Sequence, residues 1–137
     1  MKLCVIDASV VGPMILPDEA PDLPSQLMPV MVEGRALVPQ HWRLEVLNLG
    51  RTALRRKRID AQRLERALSI LSNYRIHLDD GTNRHAWGAC MELAARHDLT
   101  AYDAAYLELA IRAEAPLMTL DKALAKAARL EKLELIA

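Results

Sequence analysis

Two short apolar runs, each followed closely by an aspartate, constrain the fold of this chain most strongly. Residues 3–6 run into Asp7, and residues 117–120 run into Asp121. Runs of four apolar residues with β-branched members are typical of buried strands in a parallel sheet. Because ligands of open α/β sheets collect beyond the carboxyl ends of the strands, the two aspartates mark one edge of the predicted sheet as a candidate site.

Three weaker strand candidates, residues 36–38, 75–78 and 133–136, lie between segments with helical periodicity. The predicted helices span residues 9–16, 21–32, 40–56, 61–74, 83–97, 101–113 and 122–130. Residues suited to N-capping precede or begin five of them: Ser9, Asp60, Thr82, Thr100 and Asp121. Gly12 and Pro13 predict a short or distorted first helix. The alternation predicts an α/β fold with a mostly parallel sheet.

Composition predicts one compact domain over residues 1–137, since 52% of the residues are hydrophobic and the length suits a single core. Eighteen basic and eighteen acidic residues cancel, so any contact with nucleic acid must be local. The cysteines, Cys4 and Cys90, form no disulfide framework or zinc motif, which favours a reducing compartment. With no complete signal peptide and no apolar stretch near the roughly 18 residues of a membrane helix, we expect a cytoplasmic protein that does not enter a membrane.

Several common chemistries lack their motifs. The glycines form neither a dinucleotide-binding GxGxxG nor a P-loop, and no serine lies in GxSxG. The four histidines form no HExxH and no zinc-type pair, so each is predicted to be a surface or helix-end residue.

The acidic residues are more informative, although each also has an ordinary structural interpretation. Asp7 and Asp121 either present their oxygens at the sheet edge or only cap the helices that follow them. Asp103 lies on a helix beside apolar residues, and it also completes a capping box with Thr100. Both roles are compatible for Asp103.

Glu45 falls on the apolar stripe that Trp42, Val46, Leu49 and Ala53 form along one helix. A carboxylate that faces the core costs several kcal/mol unless a metal, an arginine or a proton compensates it. The alternative is that Glu45 lies at the stripe edge and reaches water. Asn48, one turn later, could bind a neighbouring carboxylate or a water. Four acids from four elements therefore point to one sheet edge, and such a cluster favours Mg²⁺ or Mn²⁺.

The ordered motifs of the chain resemble those of the PIN-domain ribonucleases, and within them the VapC-like toxins of bacterial toxin–antitoxin pairs. The resemblance rests on VIDAS at residues 5–9, LPDE at 16–19, VP at 38–39, EVLN at 45–48, LTAYDAAY at 99–106 and LMTLD at 117–121. These motifs occur in the expected order over nearly the whole chain. Gly12 and Pro13 depart from the regular first helix of the family, which affects one wall of the site.

The resemblance implies a three-layer α/β/α PIN-like domain and a metal-dependent endoribonuclease. Asp7, Glu45, Asp103 and Asp121 would then be both the catalytic and the metal-binding residues. Ser9, Asn48 and Thr119 would be their polar support. One or two Mg²⁺ or Mn²⁺ ions, RNA hydrolysis to 5′-phosphate and 3′-hydroxyl ends, a VapB-like antitoxin and a homodimer are also implied.

A basic segment between Arg51 and Arg66 carries seven cations and two carboxylates, a local excess of five positive charges in a neutral chain. Arg55, Arg56 and Arg58 are candidate RNA contacts because they could neutralise phosphates beside the cut. The alternative is a solvated helix end whose cations complement the helix dipole.

Three other functions remain open. A PIN-like module could have lost catalysis and only bind RNA or protein, or it could be a housekeeping RNA-processing nuclease. A receiver-like phosphoacceptor domain is a third possibility, but it requires an acidic pair near the first strand and a late lysine after a strand. Lys122, directly after Asp121, suits that role poorly.

Overall fold

The computed structural model describes residues 2–16 and 26–136. The five strands are β1 (Cys4–Ile6), β2 (Ala36–Val38), β3 (Ile76–Leu78), β4 (Leu117–Met118) and β5 (Leu135–Ile136). The helices are α1 (Gly12–Ile15), α2 (Leu27–Val32), α3 (Trp42–Arg55), α4 (Ala61–Ser72), α5 (Thr82–His85), α6 (Met91–His97), α7 (Ala101–Ala113) and α8 (Lys122–Leu130). A 3₁₀ turn over Ala8–Val11 precedes α1, and a π-helical turn over Ala86–Cys90 joins α5 to α6.

The strands form one parallel sheet in the order β3-β2-β1-β4-β5, flanked by helices in a three-layer α/β/α fold. Val5 in β1 pairs with Leu37 in β2 on one side and with Leu117 in β4 on the other. From β1 the chain first adds β2 and β3 on one side of the sheet, and then crosses back to add β4 and β5 on the other side of β1. This reversal makes the carboxyl ends of β1 and β4 the topological switch point, where open α/β folds bind ligands. The predicted fold class is confirmed.

The core is centred on β1 and α7. All three residues of β1 are buried, and α7 is buried continuously from Ala104 to Ala110. A helix buried on all sides requires a partner for any charged residue it carries. Glu108, at 5% exposure, is paired with Arg112 one turn later, and Arg112 also binds Asp79 after β3.

The chain after β1 turns tightly, as Gly12 and Pro13 predict. Four residues of 3₁₀ turn and four of α1 replace one longer helix, and Pro13 stands in the first turn of α1, where its missing N–H is not needed. The predicted N-cap at Ser9 is wrong. Asp7 is the N-cap, because its carboxylate accepts a hydrogen bond from the Ser9 backbone N–H.

Helices α3 and α4 pack closely and are joined by an ordered turn. A Cβ on Gly50 would lie 2.2 Å from Leu64 Cδ1, so a larger residue at this position would require the Leu64 side chain to move. At the end of α3, Lys57 has φ +58°, and the N–H groups of Lys57 and Arg58 donate to carbonyls of the last helical turn. This is a Schellman arrangement, and it fixes the backbone that carries the basic residues. Asp60 then caps α4, as predicted.

Other predicted boundaries need correction. The helix expected over residues 83–97 is interrupted at Gly88, which has φ −113° and ψ −105°. Thr82 is the first residue of α5 and not its N-cap, a position held by Gly81. The strand expected over residues 117–120 ends at Met118, because Thr119 and Leu120 form hydrogen bonds with Asp7 and Ser9.

Two predictions fall partly outside the part of the chain that the structure describes. Residues 17–19 of the LPDE motif and residues 21–25 of a predicted helix lie outside the described residues. Within residues 2–16 and 26–136, no helix has both the length and the apolar character needed to cross a bilayer.

Candidate functional site

Asp7 lies directly after the central strand and is only 5% exposed. Its Oδ2 accepts hydrogen bonds from the hydroxyls of Ser9, at 2.7 Å, and Thr119, while Oδ1 accepts from the Ser9 N–H at 3.3 Å. Burial raises the pKa of Asp7, and these hydrogen bonds oppose that rise. Asp7 therefore both caps the following turn and contributes a carboxylate to the sheet edge.

The two hydroxyls that contact Asp7 also order the chain after β4. Ser9 Oγ accepts a hydrogen bond from the Leu120 N–H at 2.9 Å, and Thr119 Oγ1 accepts one from the Asp121 N–H at 3.0 Å. Each hydroxyl thus donates to one element and accepts from another. The loops after β1 and β4 are held in register by this network.

Glu45 lies in the first turn of α3, half-buried at the edge of the apolar stripe. Its Oε1 accepts a hydrogen bond from the Tyr106 hydroxyl and lies 3.2 Å from His41 Nε2. Burial favours a higher pKa for Glu45, but these two donors outweigh burial and lower it. The compensation that a half-buried carboxylate requires comes from these two side chains of the protein.

Asp103 lies in the first turn of α7 and carries the most strongly raised carboxyl pKa at the site. The Thr100 hydroxyl oxygen accepts a hydrogen bond from the Asp103 N–H at 3.1 Å, which caps the helix as predicted. Burial, followed by the negative charges of Asp121, Asp7 and Glu45, raises the pKa of Asp103 to about 6. The side chains are close enough for their charges to interact.

Asp121 caps α8, since its Oδ1 accepts a hydrogen bond from the Leu124 N–H at 2.8 Å. It also lines an open pocket of about 210 Å³ at the carboxyl ends of β1 and β4. The other predicted site residues in its lining are Asp7, Ser9, Glu45, Asn48 and Asp103. Thr119 is buried directly behind the pocket through its bond to Asp7. The structure thus brings together the residues that the sequence singled out.

The donor set of this pocket suits a hard divalent cation. Its charged lining consists of carboxylates, and oxygen ligands are those that Mg²⁺ and Mn²⁺ prefer. Burial, followed by the negative charges of the neighbouring acids, raises the pKa of Asp103, so ionisation of the cluster has an energetic cost that a cation would offset. Among the described residues, no three His, Cys, Asp or Glu side chains form a compact chelating group. The residues fit a cation by their chemistry and shared location, but they do not form a closed cage.

Two side chains of the site were missed by sequence reasoning. His41, interpreted as a helix-end residue, does stand at the N-cap of α3, and its Nε2 also donates to the Tyr102 carbonyl at 3.1 Å. Its ring packs edge-on against Tyr106, with centroids 5.2 Å apart. The four-residue spacing of His41 and Glu45 is the signal that could have revealed the pair. The contact between Tyr106 and Glu45 joins separate helices and leaves no such signal.

The predicted RNA contacts differ in their relation to this pocket. Arg56 and Arg58 line a neighbouring pocket that shares Asn48 and Leu49 with the acidic one. Arg55 is exposed on α3 and is not among the lining residues of either pocket.

A family model described as a PIN domain matches residues 4–130. The chain belongs to the PIN domain family. PIN domains are generally nucleases that depend on divalent metal ions, so membership indicates nuclease activity on nucleic acid. The four acidic pocket residues lie within the matched range.

Solved structures support the same fold. The crystal structure of PAE2754 from Pyrobaculum aerophilum superposes with a TM-score of 0.63 and 18% sequence identity, covering 92% of this chain and 84% of that one. At this identity the similarity concerns the fold alone. No curated protein matches the chain significantly.

Proposed function

We propose that this PIN domain is a Mg²⁺- or Mn²⁺-dependent endoribonuclease and acts as the VapC-like toxin of a toxin–antitoxin pair. The observation that carries the nuclease proposal is the pocket itself. Four carboxylates, one directly after β1, one in α3, one in α7 and one at the start of α8, line one opening at the switch point of the sheet. The toxin assignment rests on the resemblance of the motifs to those of VapC-like proteins.

Asp7, Glu45, Asp103 and Asp121 would hold the cation. Bound there, it would supply activation of water and neutralisation of charge on the phosphodiester. Without a cation, the negative charges of the four carboxylates would repel a phosphodiester, so the cation is also needed for the substrate to approach.

The side chains of the chain prepare this pocket in distinct ways. Tyr106 and His41 keep Glu45 ionised by donating to its carboxylate. The hydroxyls of Thr119 and Ser9 donate to the Asp7 carboxylate and so fix its orientation. Asp103, with a pKa of about 6, takes up a proton on its carboxylate more readily than an ordinary aspartate does when no cation is present.

The test is cleavage of a labelled RNA with added Mg²⁺, with Mn²⁺ and with a chelator, for wild type and for Asp7→Asn and Asp103→Asn. We expect metal-dependent cleavage by wild type and a loss of roughly 100-fold or more in both variants. Mapping of the products should give 5′-phosphate and 3′-hydroxyl ends.

The matched control is Asp98→Asn. Asp98 is exposed, lies outside the pocket lining, and has φ +53°, a conformation that asparagine adopts well. This variant should keep wild-type activity. If wild type binds RNA but does not cleave it with either metal, the protein is a catalytically silent PIN module and the enzymatic proposal is wrong.

An antitoxin of VapB type is the proposed inhibitor. A peptide segment that inserts an arginine could neutralise the clustered carboxylates as a cation does, through a bidentate contact. Co-purification from the native operon, followed by mapping of protection at Asp7 and Asp103, tests this. A complex that leaves the pocket accessible contradicts the mode of inhibition, and a gene with no adjacent small reading frame favours a housekeeping role in RNA processing.

We also propose that the protein is a homodimer. Its proposed location is the cytoplasm, where its RNA substrate would be found. The support for the homodimer is a cluster of exposed apolar side chains, because Trp87 is 92% exposed and lines an apolar pocket with Leu44 and Tyr102. Light scattering should give twice the chain mass, and Trp87→Ser should weaken the dimer while Leu130→Ser, at another exposed apolar position, should not.

A further inference from the structure

Two further pockets follow the acidic pocket toward the basic segment. A second pocket of about 180 Å³, lined by Leu16, Thr52, Ala53 and the two arginines 56 and 58, shares Asn48 and Leu49 with the acidic pocket. A third pocket of about 540 Å³ at the α3–α4 turn shares Arg58 with the second. The shared residues make the three pockets neighbours in a row from the carboxylates to the basic segment, and we call this row the groove.

We propose that this groove binds the backbone of a single RNA strand leading away from the cleaved phosphodiester, and that the third pocket binds a backbone phosphate at the distal end of that path. The proposal rests on the proposed nuclease function for the acidic end, and it adds the path and the distal contacts. The cations of this distal pocket are Lys57, Arg58, Arg63 and Arg66.

Helix α3 provides the floor of the path. Glu45, Thr52 and Arg56 are separated by seven and four residues, which places them on one face of the helix. Their order along the axis is carboxylate, hydroxyl, guanidinium. The distance from Glu45 to Arg56 is eleven helical rises, about 16 Å. At the stacked rise of about 3.4 Å this corresponds to about five nucleotides, and to fewer in an extended strand.

The distal pocket is a fixed feature. Its backbone is set by the Schellman turn at Lys57 and by the Asp60 cap of α4. Arg63 Nε donates to the Ile15 carbonyl at 2.9 Å, which ties α4 to α1 at the same place. Among the described residues that line this pocket, Asp60 is the one acid, and its Oδ1 already accepts from the Arg63 N–H. The positive charges of Lys57, Arg63 and Arg66 around this carboxylate favour a polyanion.

The middle of the groove favours a single strand over a duplex. Leu16, Leu49 and Ala53 are apolar, while Asn48 and Thr52 supply polar groups. Ribose and unstacked bases can contact such a mixed surface, whereas a duplex keeps its base faces inside the helix. The charge of the chain is also concentrated here, although the whole molecule is neutral.

The test is binding of a fluorescent single-stranded RNA in chelator, where cleavage is not required, over a series of salt concentrations. Each phosphate contact to a single strand contributes about 0.7 to the slope of log K against log salt. Lys57→Gln with Arg66→Gln, both exposed side chains, should lower the slope by about 1.4 and the affinity by roughly tenfold. Arg56→Gln alone should lower the slope by about half as much.

The charge-matched control is Arg43→Gln with Lys126→Gln. Arg43 lies on the opposite face of α3, and Lys126 is exposed on α8. An equal effect of control and test variants on the slope overturns the groove. Equal affinity for RNA duplex, or for inorganic phosphate alone, overturns the single-strand path. If the test variants lower RNA binding but wild type never cleaves with metal, the groove stands and the nuclease proposal fails.

The distance between the acidic pocket and the distal pocket has its own test. In wild type, replacing single phosphates with neutral methylphosphonates should weaken binding most at positions within about five nucleotides of the cut. The effect of the distal replacement should vanish in the Lys57→Gln, Arg66→Gln variant. A distal position that stays equally sensitive in this variant contradicts the assignment of the distal pocket.

Discussion

Thr119 and Asp7 are 112 positions apart in the sequence, yet the Thr119 hydroxyl donates directly to the buried Asp7 carboxylate. The parallel pairing of β1 with β4 brings them together, since Asp7 N also donates to the Met118 carbonyl at 3.0 Å. The bond therefore couples the site to the register of the two central strands.

Thr119→Val tests this coupling. Removing the hydroxyl leaves a buried carboxylate with one donor fewer and the Asp121 N–H without its acceptor, so the free energy of unfolding should fall by about 1–3 kcal/mol. Thr119→Ser keeps the hydroxyl and should recover most of this loss. Urea denaturation measures both, and equal stability of the valine and serine variants would contradict the coupling.

The pH dependence of stability should reveal the raised pKa of Asp103. A carboxyl whose folded-state pKa is about 6, against 3.8 ordinarily, destabilises the folded state once it ionises. The metal-free protein should therefore lose stability as the pH rises from about 4.8 to 7. This window stays above the range in which Glu45 and Asp79, whose pKa values are lowered, take up protons.

Asp103→Asn should remove most of that pH dependence. Each pKa unit corresponds to about 1.4 kcal/mol, and solvent screening at this half-buried side chain reduces the expected gain at neutral pH to roughly 1–2 kcal/mol. Added Mg²⁺ should stabilise wild type more than the variant, because only the ligand-binding folded state gains from it. Melting curves at several pH values measure this dependence. If the stability of the variant changes with pH as steeply as that of wild type, a group other than Asp103 causes the pH dependence.

Tyr106 is expected to set the ionisation of Glu45. Tyr106→Phe removes one of the two donors that lower the pKa of Glu45, so that pKa should rise. A lowered carboxyl pKa contributes stability that is present above the unfolded value and is lost as the pH falls through the folded value. The variant should therefore be less stable than wild type at neutral pH, with a smaller difference below about pH 4, and the acid limb of its cleavage profile should move upward.

Much of this site could be predicted from the sequence because its residues follow strands or begin helices. Asp7, Thr100 and Asp121 occupy positions where local rules apply, and a parallel sheet gathers such positions at one edge. Contacts between elements left no local signal, as the bond from Tyr106 to Glu45 illustrates. Helix ends were also hard to place where a residue other than glycine takes a positive φ, as Lys57 does.

Arg112 should matter for stability more than any exposed cation. Its guanidinium donates to both oxygens of Glu108 and both of Asp79, joining buried α7 to the chain after β3. Arg112→Ala would leave Glu108, at 5% exposure, as an uncompensated buried charge, and such losses cost about 3–5 kcal/mol. Arg96→Ala is the matched control, because Arg96 forms an exposed ion pair with Glu131, which His97 also contacts, and it should cost under about 1 kcal/mol. Denaturant titration of both variants compares them directly. If the two losses are equal, the Glu108 carboxylate is not left as an uncompensated buried charge, and the pair does not hold α7 in place.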